Sequence, residues 1–178
     1  MVIDMYRVLI VEDDMGIAEA IQVQARMWNL DAVCARNFRN VMEEFSAFEP
    51  HLVLLDITLP FFNGYHWCNE IRKVSKVPII FISSASDNMN IVMAMNMGAD
   101  DFIAKPFVPE VMKSRIARVL ELYDLRNDLE ARLAEIIAEV GATQPSDMGK
   151  VMGVATKRLA GLAEGRMIST LVKKLLSR

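Results

Sequence analysis

Short apolar stretches recur through the first hundred residues of the chain, and polar turns separate them. Five stretches have the length and continuity of buried strands: Arg7–Val11, Asp31–Ala35, Leu52–Leu55, Pro78–Ile82 and Phe102–Ala104. The four segments between them carry apolar residues at helical spacing, which predicts four helices. The first runs from Met15 to Trp28, the second is capped by Asn37, the third ends at about Lys73, and the fourth runs from Asp87 to Gly98. Strands that alternate with helices predict an α/β fold with a doubly wound parallel sheet and right-handed crossovers.

The pattern changes after Pro109. Neither Gly nor Pro occurs from Glu110 to Val140, and apolar residues recur there every three or four positions, which predicts one long helix or two nearly continuous ones. The middle of this segment, residues 124–132, alternates in charge sign as a solvent-exposed or coiled-coil helix does. Two shorter helices follow, one capped by Ser146 and one spanning about Gly165 to Leu176. We therefore predict two domains, residues 1–122 and a small all-α module at 123–178 that is joined through the long helix.

Composition narrows the class of protein. The chain is 53% hydrophobic and 24% charged, which supports a packed core and excludes a disordered protein. Cys34 and Cys68 share no metal-ligand spacing and are expected to be buried thiols in a reducing compartment. The N-terminal residues Met1–Asp4 are acidic where a signal peptide is basic, and no apolar run reaches membrane-spanning length. The expectation is a cytoplasmic protein without a membrane association.

The net charge of −3 combines two unequal parts. Residues 141–178 contain seven basic and two acidic side chains, a net charge of +5, so the first 140 residues carry −8. This division suggests two units with different partners, and the basic unit is the one suited to an anionic surface.

Polar side chains follow the predicted strands at their carboxyl ends. Glu12 and Asp13 follow the first strand and Asp56 follows the third. The carboxyl ends of parallel strands meet at one sheet edge, where ligands bind in open α/β sheets. Asp56 considered alone is equally consistent with a helix cap. Grouped carboxylates favour a hard divalent cation such as Mg²⁺. With the hydroxyl of Ser83 and the ammonium of Lys105 at the same edge, the set is typical of a phosphoryl-transfer site.

These residues belong to motifs that identify a family. The motifs are Val-Glu12-Asp13-Asp, Leu-Asp56-Ile-Thr-Leu-Pro60, Asn-Gly64, Ile-Ser83-Ser84-Ala and Ala-Asp100-Asp101-Phe102-Ile-Ala-Lys105-Pro106-Phe. With them, the chain through about Leu122 resembles the receiver domain of two-component response regulators, and in particular BceR-like receivers of the OmpR/PhoB group. The resemblance implies a flavodoxin-like (CheY-like) five-stranded parallel sheet in the order 2-1-3-4-5.

The resemblance also implies a role for each acidic residue. Asp56 would accept a phosphoryl group from a sensor histidine kinase. Asp13, Asp56 and the backbone carbonyl of Thr58 would bind Mg²⁺, with Glu12 acting directly or through water. Such a receiver is a switch that is phosphorylated once per cycle and hydrolyses its own phosphoryl group slowly, so we do not expect an enzyme.

Four further residues take roles from the same resemblance. Lys105 and Ser83 would contact the phosphoryl oxygens, and the Ser84 amide would assist them. Phe102 stands at the position of the switch aromatic, which turns inward as Ser83 moves toward the phosphoryl group. The output surface would be the face of the fourth helix, fifth strand and fifth helix, through which receivers of this group form homodimers. Its candidate interface residues are Met93, Met97, Asp100, Asp101, Arg115 and Arg118. The methionines are also consistent with simple core and rim positions.

The tail departs from the OmpR/PhoB pattern. Only 56 residues follow Leu122, and they lack the strand–turn–wing pattern of a winged-helix domain, so DNA binding is not expected. The segment around Asp147-Met-Gly-Lys-Val-Met-Gly153 instead resembles the C-terminal helical domain of the GatB/YqeY family. In the amidotransferase GatB of that family the module is associated with tRNA binding, which offers the alternative of a basic RNA-binding tail regulated by the receiver. Its candidate contacts are Lys150, Lys157, Arg158 and Lys173. The alternative to RNA binding is a small helical bundle whose basic residues form a solvent-exposed face without a nucleic-acid partner.

One more alternative concerns the nucleophile. Haloacid-dehalogenase-like hydrolases also use an aspartate that follows a strand. They carry an Asp-x-Asp pattern, whereas Asp56 is followed by Ile57 and Thr58, which disfavours this class.

The continuous helix between the two predicted domains would let the state of the receiver alter the orientation of the tail.

Overall fold

The computed structural model describes residues 5–84 and 88–177, with the backbone alone for Asn88 and Met89. The predicted helix start at Asp87 and the acidic N-terminal residues Met1–Asp4 lie outside the described residues. The chain divides into two compact units, residues 1–121 and residues 122–178. We consider each unit separately.

The first unit is built from alternating strands and helices. In chain order these are β1 Arg7–Val11, α1 Met15–Met27, β2 Asp31–Cys34, α2 Val41–Phe48, β3 Leu52–Asp56, α3 Gly64–Val74, β4 Ile79–Ser83, α4 Asn88–Asn96, β5 Asp101–Ala104 and α5 Pro109–Val140, which continues into the second unit. The sheet has the order β2-β1-β3-β4-β5, and every neighbouring pair is parallel. This confirms the predicted CheY-like doubly wound fold.

Both faces of the sheet are covered, which explains why its central strands read as unbroken apolar runs. Because side chains alternate along a strand, one face carries Ile10 and Leu54 while the other carries Leu9 and Leu55. The first face packs against buried residues of α1 and α5, and the second against those of α2, α3 and α4. All five residues of β3 are buried, including its terminal carboxylate, Asp56.

The start of α2 differs from the expectation. The cap is Asn40, whose side chain accepts a hydrogen bond from the Glu43 amide, and the helix begins at Val41. Asn37 instead accepts a hydrogen bond from the amide of Arg39 in the preceding turn. Two asparagines three residues apart offer the same capping chemistry, and the packing of α2 in the fold determines which of them caps the helix.

The second unit contains the C-terminal part of α5, a 3₁₀ helix at Pro145–Asp147, and the helices α6 Met148–Arg158 and α7 Gly165–Leu176. Ser146 lies inside the 3₁₀ helix, so it is not the cap of α6. The core of this unit contains Leu129 and Leu133 of α5, Val151 of α6 and Leu171 of α7. Residues 122–177 form no strand. Within the described ranges, no helix combines the length and apolar character needed to cross a bilayer.

Candidate phosphoryl-transfer site

The end of β1 brings two acidic side chains to the carboxyl edge of the sheet. Glu12 is buried, and its carboxylate accepts a hydrogen bond of 3.1 Å from the amide of Asp14. Asp13 is exposed at the rim of the same edge. Asp14 caps α1 by accepting a hydrogen bond of 3.2 Å from the Ile17 amide, which fixes the direction in which the chain leaves the strand.

Asp56 ends β3 at the centre of this edge, and its side chain is only 5% exposed. One carboxylate oxygen accepts a hydrogen bond of 3.3 Å from the amide of Thr58. Behind it, the Gly64 amide donates to the Ile57 carbonyl at 2.8 Å, so the start of α3 closes against the end of β3. The Thr58 amide therefore restrains the Asp56 carboxylate, and the contact between α3 and β3 restrains the backbone behind it.

Lys105 connects the acidic groups. Its ammonium, on a side chain 14% exposed, lies 3.1 Å from the Oδ2 atom of Asp56 and also donates to the carboxylate of Glu12. The Lys105 amide donates to the carbonyl of Ser83 at 2.8 Å, which ties the end of β5 to the end of β4. The ends of β1, β3, β4 and β5 therefore meet, as the sequence predicts, and Lys105 is hydrogen-bonded to a residue from each of the other three.

The site perturbs the titration of two of its members. Burial raises the pKa of Glu12 from 4.5 to about 7, with a further contribution from the charge of Asp56, against the opposing effect of hydrogen bonds from Lys105 and the Asp14 amide. Burial on its own lowers the pKa of Lys105, but hydrogen bonds to Glu12 and Asp56 and their negative charges outweigh it and leave that pKa raised. Lys105 is therefore a fixed positive charge at neutral pH.

Glu12, Asp13 and Asp56 form an arrangement that fits a hard divalent cation. One carboxylate oxygen from each lies within 4.8 Å of the others, and Asp13 is exposed, so one side of the cluster is open to solvent. Mg²⁺ prefers oxygen ligands and keeps several of its waters, which suits a cluster with an open side. The predicted fourth ligand, the carbonyl of Thr58, stays a prediction.

The remaining predicted switch residues lie along β4 and β5. Ser83 is buried at the end of β4, and Ser84 is exposed immediately after it. Phe102 pairs with Phe81 in the β4–β5 register, and it is buried in the hydrophobic core that also contains Ala94 of α4. Its role as the switch aromatic stays a prediction.

Sequence reasoning assigned no role to Gly64, and the structure supplies one. A Cβ atom at this position would lie 2.2 Å from the carbonyl oxygen of Asp56. Only glycine lets α3 begin this close to the strand that carries Asp56. The Asn63–Gly64 dipeptide is a visible turn signal, but its contact with β3 depends on tertiary packing, which the sequence pattern does not specify.

Three of the six candidate interface residues form ion pairs within the chain. Asp101 and Arg115 pair with each other at 2.7 Å. Asp100 pairs with Arg72 at 3.0 Å and also accepts a hydrogen bond from the Ile79 amide. The others differ in exposure: Met93 and Arg118 are exposed, whereas Met97 is partly buried against the core.

The candidate RNA-contact residues of the tail are mostly solvated. Lys150, Lys157 and Lys173 are exposed, and Arg158 pairs with Glu139 at 2.5 Å. The RNA-binding alternative has no support from similarity to known proteins.

Comparison with known proteins identifies both parts of the chain. Residues 8–117 match the response regulator receiver domain family, and residues 121–176 match the Yqey-like protein family. An uncharacterized transcriptional regulatory protein of Bacillus subtilis, YvcP, is 38% identical over 98% of this chain and 75% of its own length. The sensory transduction protein BceR of Halalkalibacterium halodurans is 43% identical over 65% of this chain. The alignment covers 50% of BceR, so the chain spans about half the length of this relative.

Solved structures agree with this assignment. The N-terminal domain of the nisin resistance regulator NsrR is 45% identical and superposes with a TM-score of 0.61, covering 66% of this chain and 99% of that domain. The BeF₃-activated receiver domain of RstA from Klebsiella pneumoniae is 31% identical with a TM-score of 0.62, covering 64% of this chain and 97% of that domain. The chain belongs to the response regulator receiver domain family, with an OmpR/PhoB-type receiver of a two-component system followed by a YqeY-like helical module.

Proposed function

We propose that the protein is a phosphorylation switch in which Asp56 accepts a phosphoryl group from the phosphohistidine of a sensor histidine kinase. The observation that carries this proposal is the pairing of a buried strand-end carboxylate with the ammonium of Lys105 at 3.1 Å. A carboxylate that merely capped α3 would not need a largely shielded lysine at its side, and the cap of α3 is Asn63.

In the transfer, an Asp56 carboxylate oxygen forms a bond to phosphorus as the bond between phosphorus and the histidine nitrogen breaks. The electron pair of the broken bond stays on the imidazole, and the product is an aspartyl phosphate. The positively charged Lys105 lies where it can stabilise the added negative charge. Ser83 and the amide of Ser84 are proposed to bind the other phosphoryl oxygens.

Glu12, Asp13, Asp56 and the Thr58 carbonyl are proposed to hold Mg²⁺. When bound, the ion neutralises charge on the carboxylates and the incoming phosphoryl group. Glu12, whose pKa is about 7, is partly protonated near neutral pH without the ion. A cation would keep it ionised, so binding of the ion should release protons.

The proposed output begins at Ser83 and Phe102. Phosphorylation adds about −1.5 to −2 charges at the site, which biases a two-state loop and helix toward one arrangement. The α4–β5–α5 face would then change its tendency to form a homodimer, and α5, which continues into the second unit, would carry the change to the orientation of the tail. Each phosphorylation is a single event followed by slow self-hydrolysis, so the protein acts as a signalling switch.

The test is to treat the wild type and Asp56→Ala with acetyl phosphate and Mg²⁺ and to measure intact mass and oligomer size. The wild type should gain one phosphoryl group and the variant none. Equal modification of both proteins would remove Asp56 from its role. Continuous release of phosphate over many cycles would instead favour the hydrolase alternative.

A further inference from the structure

Part of α5 lies outside both hydrophobic cores. Met112, Ile116 and Leu120 contribute to the core of the first unit, and Leu129 and Leu133 to that of the second. Between them, residues 121–128, the exposed α5 segment, contain no buried residue: seven are exposed and one is intermediate. These two helical turns are buried in neither core of the described chain, whereas most helices of globular proteins are stabilised by packing of an apolar face.

The exposed α5 segment nevertheless carries an apolar stripe. Leu122 is 50% exposed and Leu125 is 37% exposed, and residues three apart lie on the same side of a helix. The residues at the same spacing on either side are Arg118, which is charged, and Leu129, which is buried in the core of the second unit. The stripe therefore consists of Leu122 and Leu125, which have the spacing of positions a and d of a coiled-coil heptad.

The charges beside the stripe select one orientation of a partner. In a parallel pair of helices, position g of one chain faces position e of the next heptad in the other chain. In this register, Glu121 at g would face Arg126 at e in a second copy, and twofold symmetry would repeat this attraction. An antiparallel pair would instead bring g positions together. Those positions hold Glu121 and Asp128, which repel each other.

We propose that the exposed α5 segment is a self-association surface that pairs in parallel with the same segment of a second copy of this chain. Leu122 and Leu125 of each copy would pack together, and Glu121 and Arg126 would set the orientation. The pairing needs neither a phosphoryl group on Asp56 nor the α4–β5–α5 face. With two leucine layers, it would be a weak and reversible association.

Sedimentation equilibrium of the full chain, without a phosphoryl donor and with EDTA, tests this proposal. The wild type should show a monomer–dimer equilibrium, and Leu122→Gln/Leu125→Gln should raise the dissociation constant by about tenfold or more because four apolar side chains per dimer are replaced. Val23→Gln is the matched control, since Val23 is 56% exposed but lies on α1, outside both proposed interfaces. It should leave the constant unchanged. Circular dichroism should show equal helicity in all three proteins.

Charge variants test the orientation. Glu121→Arg should weaken the dimer by about threefold through repulsion from Arg126 of the second copy, and Glu121→Arg/Arg126→Glu should restore it. A stronger dimer with Glu121→Arg would contradict the parallel arrangement. A wild type that stays monomeric, or a dimer that Val23→Gln dissociates and the leucine variant does not, would overturn the proposal. Loss of phosphoryl acceptance by Asp56 would leave all these results unaffected, so the two proposals fail separately.

Discussion

The charged residues of the receiver and those of the tail are organised in opposite ways. In the receiver, Glu12, Asp56 and Lys105 lie at the ends of three strands and form one hydrogen-bonded group, in which both carboxylates are buried and the lysine side chain is 14% exposed. In the tail, Lys150 and Lys157 lie exposed on one helix. Charges are expensive to bury and inexpensive to expose, so the receiver group indicates a specific chemical task, while the exposed charges of the tail indicate none.

The largest expected difference between the two regions is in phosphoryl transfer. Lys105→Met should slow the phosphorylation of Asp56 by about a hundredfold or more, because it removes the cation that lies where negative charge accumulates. A time course of intact mass with acetyl phosphate and Mg²⁺ measures the rate. Lys157→Met, an exposed lysine of α6, is the control and should react as the wild type does. Equal rates for the two variants would contradict the role of Lys105.

Glycines provide a second comparison. Gly64→Ala should destabilise the protein by about 2–4 kcal/mol, because its Cβ atom would overlap the Asp56 carbonyl. Gly153→Ala in the interior of α6 meets no atom within 4 Å and should stabilise the protein by about 0.5–1 kcal/mol through helix propensity. Urea denaturation monitored by circular dichroism measures both changes. A neutral Gly64→Ala would mean that α3 can move away from β3 at little cost.

Glu12 should make the receiver less stable at neutral pH in the absence of a divalent cation. Its pKa of about 7 in the folded protein lies above its ordinary value of 4.5, so the folded state binds more protons between these values. Stability should therefore fall as pH rises from about 4.5 to about 7, and Glu12→Gln should recover about 1–3 kcal/mol above pH 7. Denaturation in EDTA across this range measures the effect. A fall of the same size in the variant would assign it to another group.

The smallest effect is expected in the tail. Arg158 and Glu139 form an ion pair in which both side chains are about half exposed. Arg158→Ala should change the free energy of unfolding by less than about 0.5 kcal/mol, since solvent screens such pairs. Denaturation at low and high salt measures it, and a loss larger than about 1 kcal/mol would show that this pair is more than a solvated contact.

The sequence was sufficient to predict the fold of the receiver and the edge at which its functional residues meet. Long apolar strands and helical periodicity are local signals, and in a parallel sheet the carboxyl ends of the strands must lie together. The positions of Glu12, Asp56 and Lys105 follow from that rule.

The features that the sequence did not predict depend on distances between elements. Asn37 and Asn40 are equivalent as candidate caps until the packing of α2 is known. The closeness of Gly64 to Asp56 and the pairing of Asp100 with Arg72 join residues from different elements, and neither leaves a periodic signal. Asp100, predicted at a dimer interface, also pairs with Arg72 of its own chain, and its interface role stays a prediction.

The most direct test of the central claim is to locate the phosphoryl group on the chain. After reaction with acetyl phosphate and Mg²⁺, borohydride reduces an aspartyl phosphate to homoserine, which peptide mass spectrometry can assign to one residue. We predict homoserine at position 56 in the wild type and at no other aspartate. Homoserine at Asp13, or an unmodified Asp56 in a protein that has gained a phosphoryl group, would contradict the account.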